Sequence, residues 1–241
     1  MAKKKKQEEA QGAPRRNAVR ENVEAVLVAV LFALFVRTYL VQAFQIPTSS
    51  MERDLLVGDH LLVNKFLFGP ASPFEKSFLP MREVRRFDVV IFKYPVDPAQ
   101  DFVKRVIGMP GDSIEVLNHK LYLNGRLLPE EGSLGYQAYH VATTPAQGQS
   151  RYETRFGPEV VPPGGYFVMG DNRDRSADSR EWDSVPKEYV KGRPLFIYWS
   201  YEAERESHIF RGWGEKAAQI LDRVVHFFDK TRWRRTFRPV R

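Results

Sequence analysis

Between residues 25 and 36 the chain reads Ala-Val-Leu-Val-Ala-Val-Leu-Phe-Ala-Leu-Phe-Val, without one charged or strongly polar side chain. A bilayer span needs about 20 such residues. The run reaches that length over 23–44, at the cost of admitting Glu24 and Arg37. Glu24 stands near the inner end, and Arg37 can extend its charge toward headgroups beside Tyr39. Lys3, Lys4, Lys5, Lys6, Arg15, Arg16 and Arg20 all precede the run, so the positive-inside bias puts the N-terminus in the cytoplasm. The expectation is a basic cytoplasmic arm over 1–21 and a transmembrane helix over 22–44. A cleaved leader ending near Val41-Gln-Ala43 and a buried core helix compete with it. The long basic arm, and apolar residues continuing past that cut site, favour an uncleaved anchor.

Beyond residue 44 the texture turns to short β-type runs punctuated by Gly and Pro: 61–63, 89–92, 102–103, 106–107, 166–169 and 195–199. The clearest local signal lies in 120–128, where Asn124-Gly125 suits the positive φ values of a two-residue hairpin turn. Residues 132–158 are polar and irregular and suit a surface insertion. Residues 217–228 can form an amphipathic helix with Ile220, Leu221, Val224 and Phe227 on one side, followed by a basic, Trp-containing tail. The fold expected is mainly β: a sheet or barrel-like domain over 45–200 behind one N-terminal transmembrane helix. Residues 113–165 would form a smaller β subdomain, and 201–241 a basic C-terminal extension with its amphipathic helix.

The net charge of +7 suggests nucleic acid or an anionic membrane as partner, but the excess sits in the two tails and the middle is mixed in sign. Nucleic acid is therefore not expected. With no cysteine, disulfides, thiolate metal sites and a cysteine nucleophile are excluded.

Three segments carry chemistry-bearing side chains. Ile46-Pro-Thr-Ser-Ser-Met51 follows the apolar run closely; serine clusters are ordinarily turns. In 101–112, strand alternation puts Phe102 and Lys104 on one face, with Val103 and Arg105 on the other. A lysine on an apolar face ordinarily extends its charge to water. Residues 170–180, Gly-Asp-Asn-Arg-Asp-Arg-Ser-Ala-Asp-Ser-Arg, could be a solvated loop, and their spacing fails as a calcium loop. None of the five histidines, His60, His119, His140, His208 and His226, lies in a segment that looks catalytic.

Together these segments resemble the boxes of bacterial type I signal peptidases. That pattern has Pro-Ser-x-Ser-Met after a transmembrane helix, a Gly-Asp strand motif (here 58–63), Lys-Arg-x-x-Gly-x-Pro-Gly-Asp (104–112) and Gly-Asp-Asn-x-x-x-Ser-x-Asp-Ser-Arg (170–180). The likeness covers about 23–200. It implies Ser50 as nucleophile, Lys104 as general base, and an oxyanion hole made by the Ser50 N–H and the Thr48 hydroxyl. Ser176 would orient the lysine, Asp178 and Arg180 would form a supporting ion pair, and Asp171 and Asn172 would complete the last box. Two departures stand out: Thr48 where serine is usual, and Arg53-Asp54 where Pro-Thr is common.

The resemblance implies a membrane-bound serine endopeptidase that removes N-terminal signal peptides from exported preproteins, cutting after small residues, with no cofactor. It would sit as a single-pass protein in the cytoplasmic membrane, its catalytic domain on the outer, periplasmic side. A serine hydroxyl needs a base, and a neutral lysine amine can serve. Holding lysine near pH 7 costs about 4–5 kcal/mol, which burial beside Phe102 would supply. Ser50 follows Phe44 by six positions, which tethers the expected nucleophile within about 20–25 Å of the apolar run. Lipid contact through Phe66, Phe68, Phe74 and Phe78 competes with their burial in a core. An anchored β-rich scaffold and a self-cleaving Ser–Lys protease are the rival readings.

Overall fold

The computed structural model describes residues 18–52, 54–65, 82–118, 120–128, 155–202, 214 and 221–240. The basic arm to residue 17, Phe66, Phe68, Phe74, Phe78, His119, His140, His208 and most of the polar stretch 132–158 lie outside them. The chain divides into two compact units, Met1–Leu40 and Val41–Arg241.

In the first unit, α1 (Ala18–Phe35) continues through a π-helical turn, Val36–Leu40. Val19–Leu40 has a mean hydropathy of 2.1 and none of it is buried. At 1.5 Å per residue these 22 residues reach about 33 Å, long and apolar enough to cross a bilayer. Arg20 and Glu24 pair one turn apart at 2.8 Å, which offsets the charge of Glu24. The helix expected to reach residue 44 stops earlier. Residues Val41–Gln45 form strand β1, fully paired with β2 (Asp59–Asn64) in antiparallel register from Val41↔Asn64 to Gln45↔His60. Strand pairing to a neighbour wins over continuation of the apolar helical pattern.

The second unit is mainly β, built on two antiparallel sheets. The larger also uses β3 (Val89–Lys93), β4 (Asp101–Gly108), β9 (Gly165–Met169), β10 (Val185–Pro186), β11 (Val190–Ser200) and β12 (Arg238–Pro239). Its order is β1-β2-β11-β3-β4-β9-β10, with β12 also on β11. The runs at 102–103 and 106–107 belong to one continuous strand, because Lys104 and Arg105 between them are buried rather than solvated. The smaller sheet, in order β7-β6-β5-β8, comprises β5 (Ser113–Leu117), β6 (Lys120–Leu123), β7 (Arg126–Leu127) and β8 (Arg155–Val160). Leu123 pairs with Arg126 across Asn124 (φ 54°) and Gly125 (φ 74°), the two-residue hairpin expected there.

Three apolar clusters fill the interior. One packs Ile46, Met51 and Leu55 against Leu61, Val89, Ile197 and Val240, and so seats the segment that carries Ser50. The C-terminal helix is described over 221–225, where Leu221, Val224 and Val225 are exposed. The next residues, 226–229, form a turn rather than the helical continuation expected to 228.

Candidate active site

Three segments meet at the site: the turn that carries Ser50, strand β4 and the 170–180 loop. Ser49–Met51 is one turn of 3-10 helix entered from extended Thr48 (φ −126°, ψ 160°). Met51 is fully buried, and the Leu55 N–H donates to its carbonyl at 3.0 Å, so the turn is pinned by its own core residue. Ser50 is itself buried. Strand β4 delivers Lys104 opposite Val90 of β3, and Lys104 Nζ lies 2.6 Å from Ser50 Oγ. With the amine neutral, the hydroxyl donates to the nitrogen lone pair; with ammonium, the nitrogen donates.

Lys104 is 3% exposed, and burial pulls its pKa down from 10.5 to about 8. The Asp178 and Asp171 carboxylates act against burial, and Arg180 acts with it. The Phe102 ring centroid lies 5.5 Å from Nζ, on the face that alternation assigns it. Tyr94 stacks on Phe102 at 4.3 Å and Trp182 meets Tyr94 edge-on, giving Lys104 an aromatic wall.

Arg105, on the opposite face, is 1% exposed. Its Nε and Nη2 donate to the two Asp171 oxygens at 2.8 and 2.7 Å, and Nη1 donates to the Phe87 carbonyl at 2.9 Å. Nη2 also reaches the Asp54 carboxylate. Asp54, part of one of the two departures from the resemblance, thus ties the segment that carries Ser50 to β4. Next to Asp171, the Asn172 N–H donates to the Ser50 carbonyl at 3.0 Å and Asn172 Nδ2 to the Ser49 carbonyl at 3.1 Å. Gly170 makes this approach possible: a Cβ there would lie 2.5 Å from the Ser50 carbonyl oxygen and 2.2 Å from Ser176 Oγ.

Asp178 and Arg180 pair at 2.8 Å, as expected. Asp178 also accepts from the Gly170 N–H at 3.0 Å, and Arg180 donates to the Arg173 carbonyl at 2.7 Å, so the pair shapes the 170–180 loop from within. Thr48 is exposed, caps no helix with its side chain, and its hydroxyl stands 3.4 Å from Ser50 Oγ. Ser176 departs from expectation. Its hydroxyl is buried over Gly170 and bonds to none of the described residues, Lys104 included, so the lysine is oriented by Ser50 and its packing.

Sequence reasoning missed Asp54 and the double role of Arg105. The available signal was a second cation in a strand of otherwise apolar neighbours, which has to find buried carboxylates. Of the two described histidines, His60 stacks on Trp199 and His226 bonds Asp229, and neither hydrogen-bonds Ser50.

A family profile for signal peptidase, peptidase S26, matches residues 19–199. Signal peptidase I of Pseudomonas aeruginosa is 36% identical over 211 residues, 75% of this chain and 72% of that protein. Signal peptidase I of Aquifex aeolicus is 32% identical over 231 residues, 76% of this chain and 85% of its own length. A crystal structure of a signal peptidase I from Enterococcus faecalis is 33% identical, covering 46% of this chain and 97% of that one, with a TM-score of 0.37. The match takes in all three segments that meet around Ser50 and Lys104, and the chain belongs to the signal peptidase family, peptidase S26.

Proposed function

We propose that this chain is a signal-peptide-cleaving serine endopeptidase with Ser50 as nucleophile and Lys104 as general base. The observation that carries the reading is the 2.6 Å approach of a buried amine to a buried hydroxyl, with no carboxylate or imidazole bonded to that hydroxyl among the described residues. Ser50 Oγ attacks the scissile carbonyl while Lys104 takes its proton. The tetrahedral oxyanion faces the Ser50 N–H and the Thr48 hydroxyl, donors that in acyl transfer contribute about 3–4 kcal/mol each. Lys104 then protonates the leaving amine as the C–N bond breaks, leaving an ester on Ser50. The neutral lysine next takes a proton from water, hydroxide adds to the ester, and collapse returns the proton to Ser50 Oγ.

The substrates are preproteins whose signal peptides carry small residues before the cut. The helix Val19–Leu40 anchors the protein in the cytoplasmic membrane, the basic N-terminus inside and the β domain outside. Lipid is a second partner. Leu221, Val224, Val225, Phe228, Trp233 and Phe237 are exposed beside Arg234 and Arg238, a composition suited to an anionic interface.

The test is cleavage of a model preprotein by the full-length chain in detergent. Ser50→Ala and Lys104→Met should each lower kcat by at least about 10²–10⁴-fold while circular dichroism stays unchanged. Cleavage at the wild-type rate by either variant would reject the assigned roles.

A further inference from the structure

The loop that carries Ser50 is closed at its base by Ile46, which exchanges backbone bonds with Gly58 and Asp59, and within it by one 3-10 turn and the bond from Leu55 to Met51. It is also held from outside. On one side the Asn172 N–H grips the Ser50 carbonyl; the other side is held by residues beyond the family match, which ends at 199. After Tyr201 pairs with Thr231, the chain runs back along β11: Phe237 N–H donates to the Ile197 carbonyl at 2.6 Å and Val240 N–H to the Leu195 carbonyl at 3.0 Å. Val240 enters the same apolar cluster as Met51 and Leu55. Arg232 Nη1 donates to the Val57 carbonyl at 3.0 Å.

Arg235 does most at this junction. Its Nη2 donates to the Asp54 carbonyl at 2.7 Å and to the Asp59 carboxylate at 2.7 Å, with Nε 3.3 Å from the other Asp59 oxygen. Asp59 is fully buried and also accepts from Ser200 Oγ at 2.6 Å and the Leu56 N–H at 2.8 Å. Asp54 is the node: its carbonyl is held by Arg235, and its carboxylate holds Arg105, the neighbour of Lys104 on β4. A chain of bonds therefore runs from the C-terminal segment through the nucleophile loop to the strand that carries the base.

We propose that residues 231–240 act as a clasp on the nucleophile loop, and that Arg235 and Asp54 are positioning residues that keep Ser50 in register with Lys104. The proposal rests on the Ser–Lys reading above. Neither residue touches the reacting atoms. Each acts through the placement of Ser50, where misalignment by about 1 Å can cost 10²-fold in rate. A loosened loop also admits water beside Lys104, relieves the burial that lowers its pKa, and moves the acid limb of the rate profile upward.

The test compares full-length wild type, Ser50→Ala, Arg235→Met, Arg235→Lys and Asp54→Asn on one model preprotein, recording kcat, KM, Tm and the pH dependence of kcat/KM. Arg235→Met should lose about tenfold or more in kcat with KM within about twofold, the pattern of a lost transition-state alignment. Its acid limb should move to higher pH. Arg235→Lys, which keeps a charge opposite Asp59, should recover part of the rate, and Asp54→Asn should show the same shift more mildly. Wild-type kcat and acid limb in Arg235→Lys and Asp54→Asn, with only Tm lowered in Arg235→Met, would overturn the clasp and leave a purely stabilising contact. If wild type and Ser50→Ala cleave alike, the Ser–Lys reading fails instead, so the two failures are distinguishable.

Discussion

Lys104 is buried where its charge is unwelcome, and that has a thermodynamic signature apart from catalysis. Its pKa falls from 10.5 to about 8 on folding, chiefly through burial. Between those values the unfolded chain holds a proton that the folded one has released, so stability rises with pH across about 8 to 10.5. Below about pH 8 both states are protonated, and the folded state bears the full burden of a charged amine in its interior. At 1.36 kcal/mol per unit that burden is about 3 kcal/mol. Lys104→Met keeps the length and removes the charge, so it should be more stable than wild type at pH 7, by up to about 3 kcal/mol in denaturant unfolding. It should show no such gain at pH 10.5. Equal stability at both pH values would mean that Nζ is solvated. The face of the strand that carries Lys104 was legible from alternation with Phe102, but the depth of burial was not. That depth depends on Tyr94, which stacks on Phe102, and on Trp182, which meets Tyr94 edge-on, both from elsewhere in the fold.

At the scale of elements, β4 and the 170–180 loop decide the site. The strand places Lys104 toward Ser50 and Arg105 toward Asp171, so two adjacent buried cations serve two different partners. The loop returns Asn172 to the turn that carries Ser50, which is possible because residue 170 has no side chain. Gly170→Ala should displace the Ser50 carbonyl and cut kcat by about 10²-fold, as expected for an ångström-scale misplacement, while the Asp178–Arg180 pair keeps the loop folded. Steady-state kinetics with circular dichroism check this, and wild-type kcat would show that the approach is not needed. The hairpin at Asn124-Gly125 was readable because its chemistry is local. The strand Val41–Gln45 was not, because its apolar residues suit a helix equally well and only pairing with β2 decides between them. For the same reason Ser176 was assigned to Lys104 by resemblance, whereas in the fold its hydroxyl lies over Gly170.

At the scale of the molecule, a span-length apolar helix precedes a β domain in which Ser50 stands ten residues past Leu40. The helix should keep the full chain in the membrane fraction after carbonate washing. A chain beginning at Val41 should bind vesicles containing anionic lipid more tightly than neutral ones, and Trp233→Ala should weaken that binding in a flotation assay. Recovery of the full chain in the soluble fraction would contradict the anchor. In the proposed mechanism the chemistry depends on the protonation state of one amine. The most direct measurement is kcat/KM for preprotein cleavage by the full-length chain between pH 5 and 10, which reports the pKa of the free enzyme's base. A rate that climbs about tenfold per pH unit up to a single inflection near 8, and vanishes in Lys104→Met, is the expected result. A rate already on its plateau at pH 6, or an identical profile in Lys104→Met, would contradict the account.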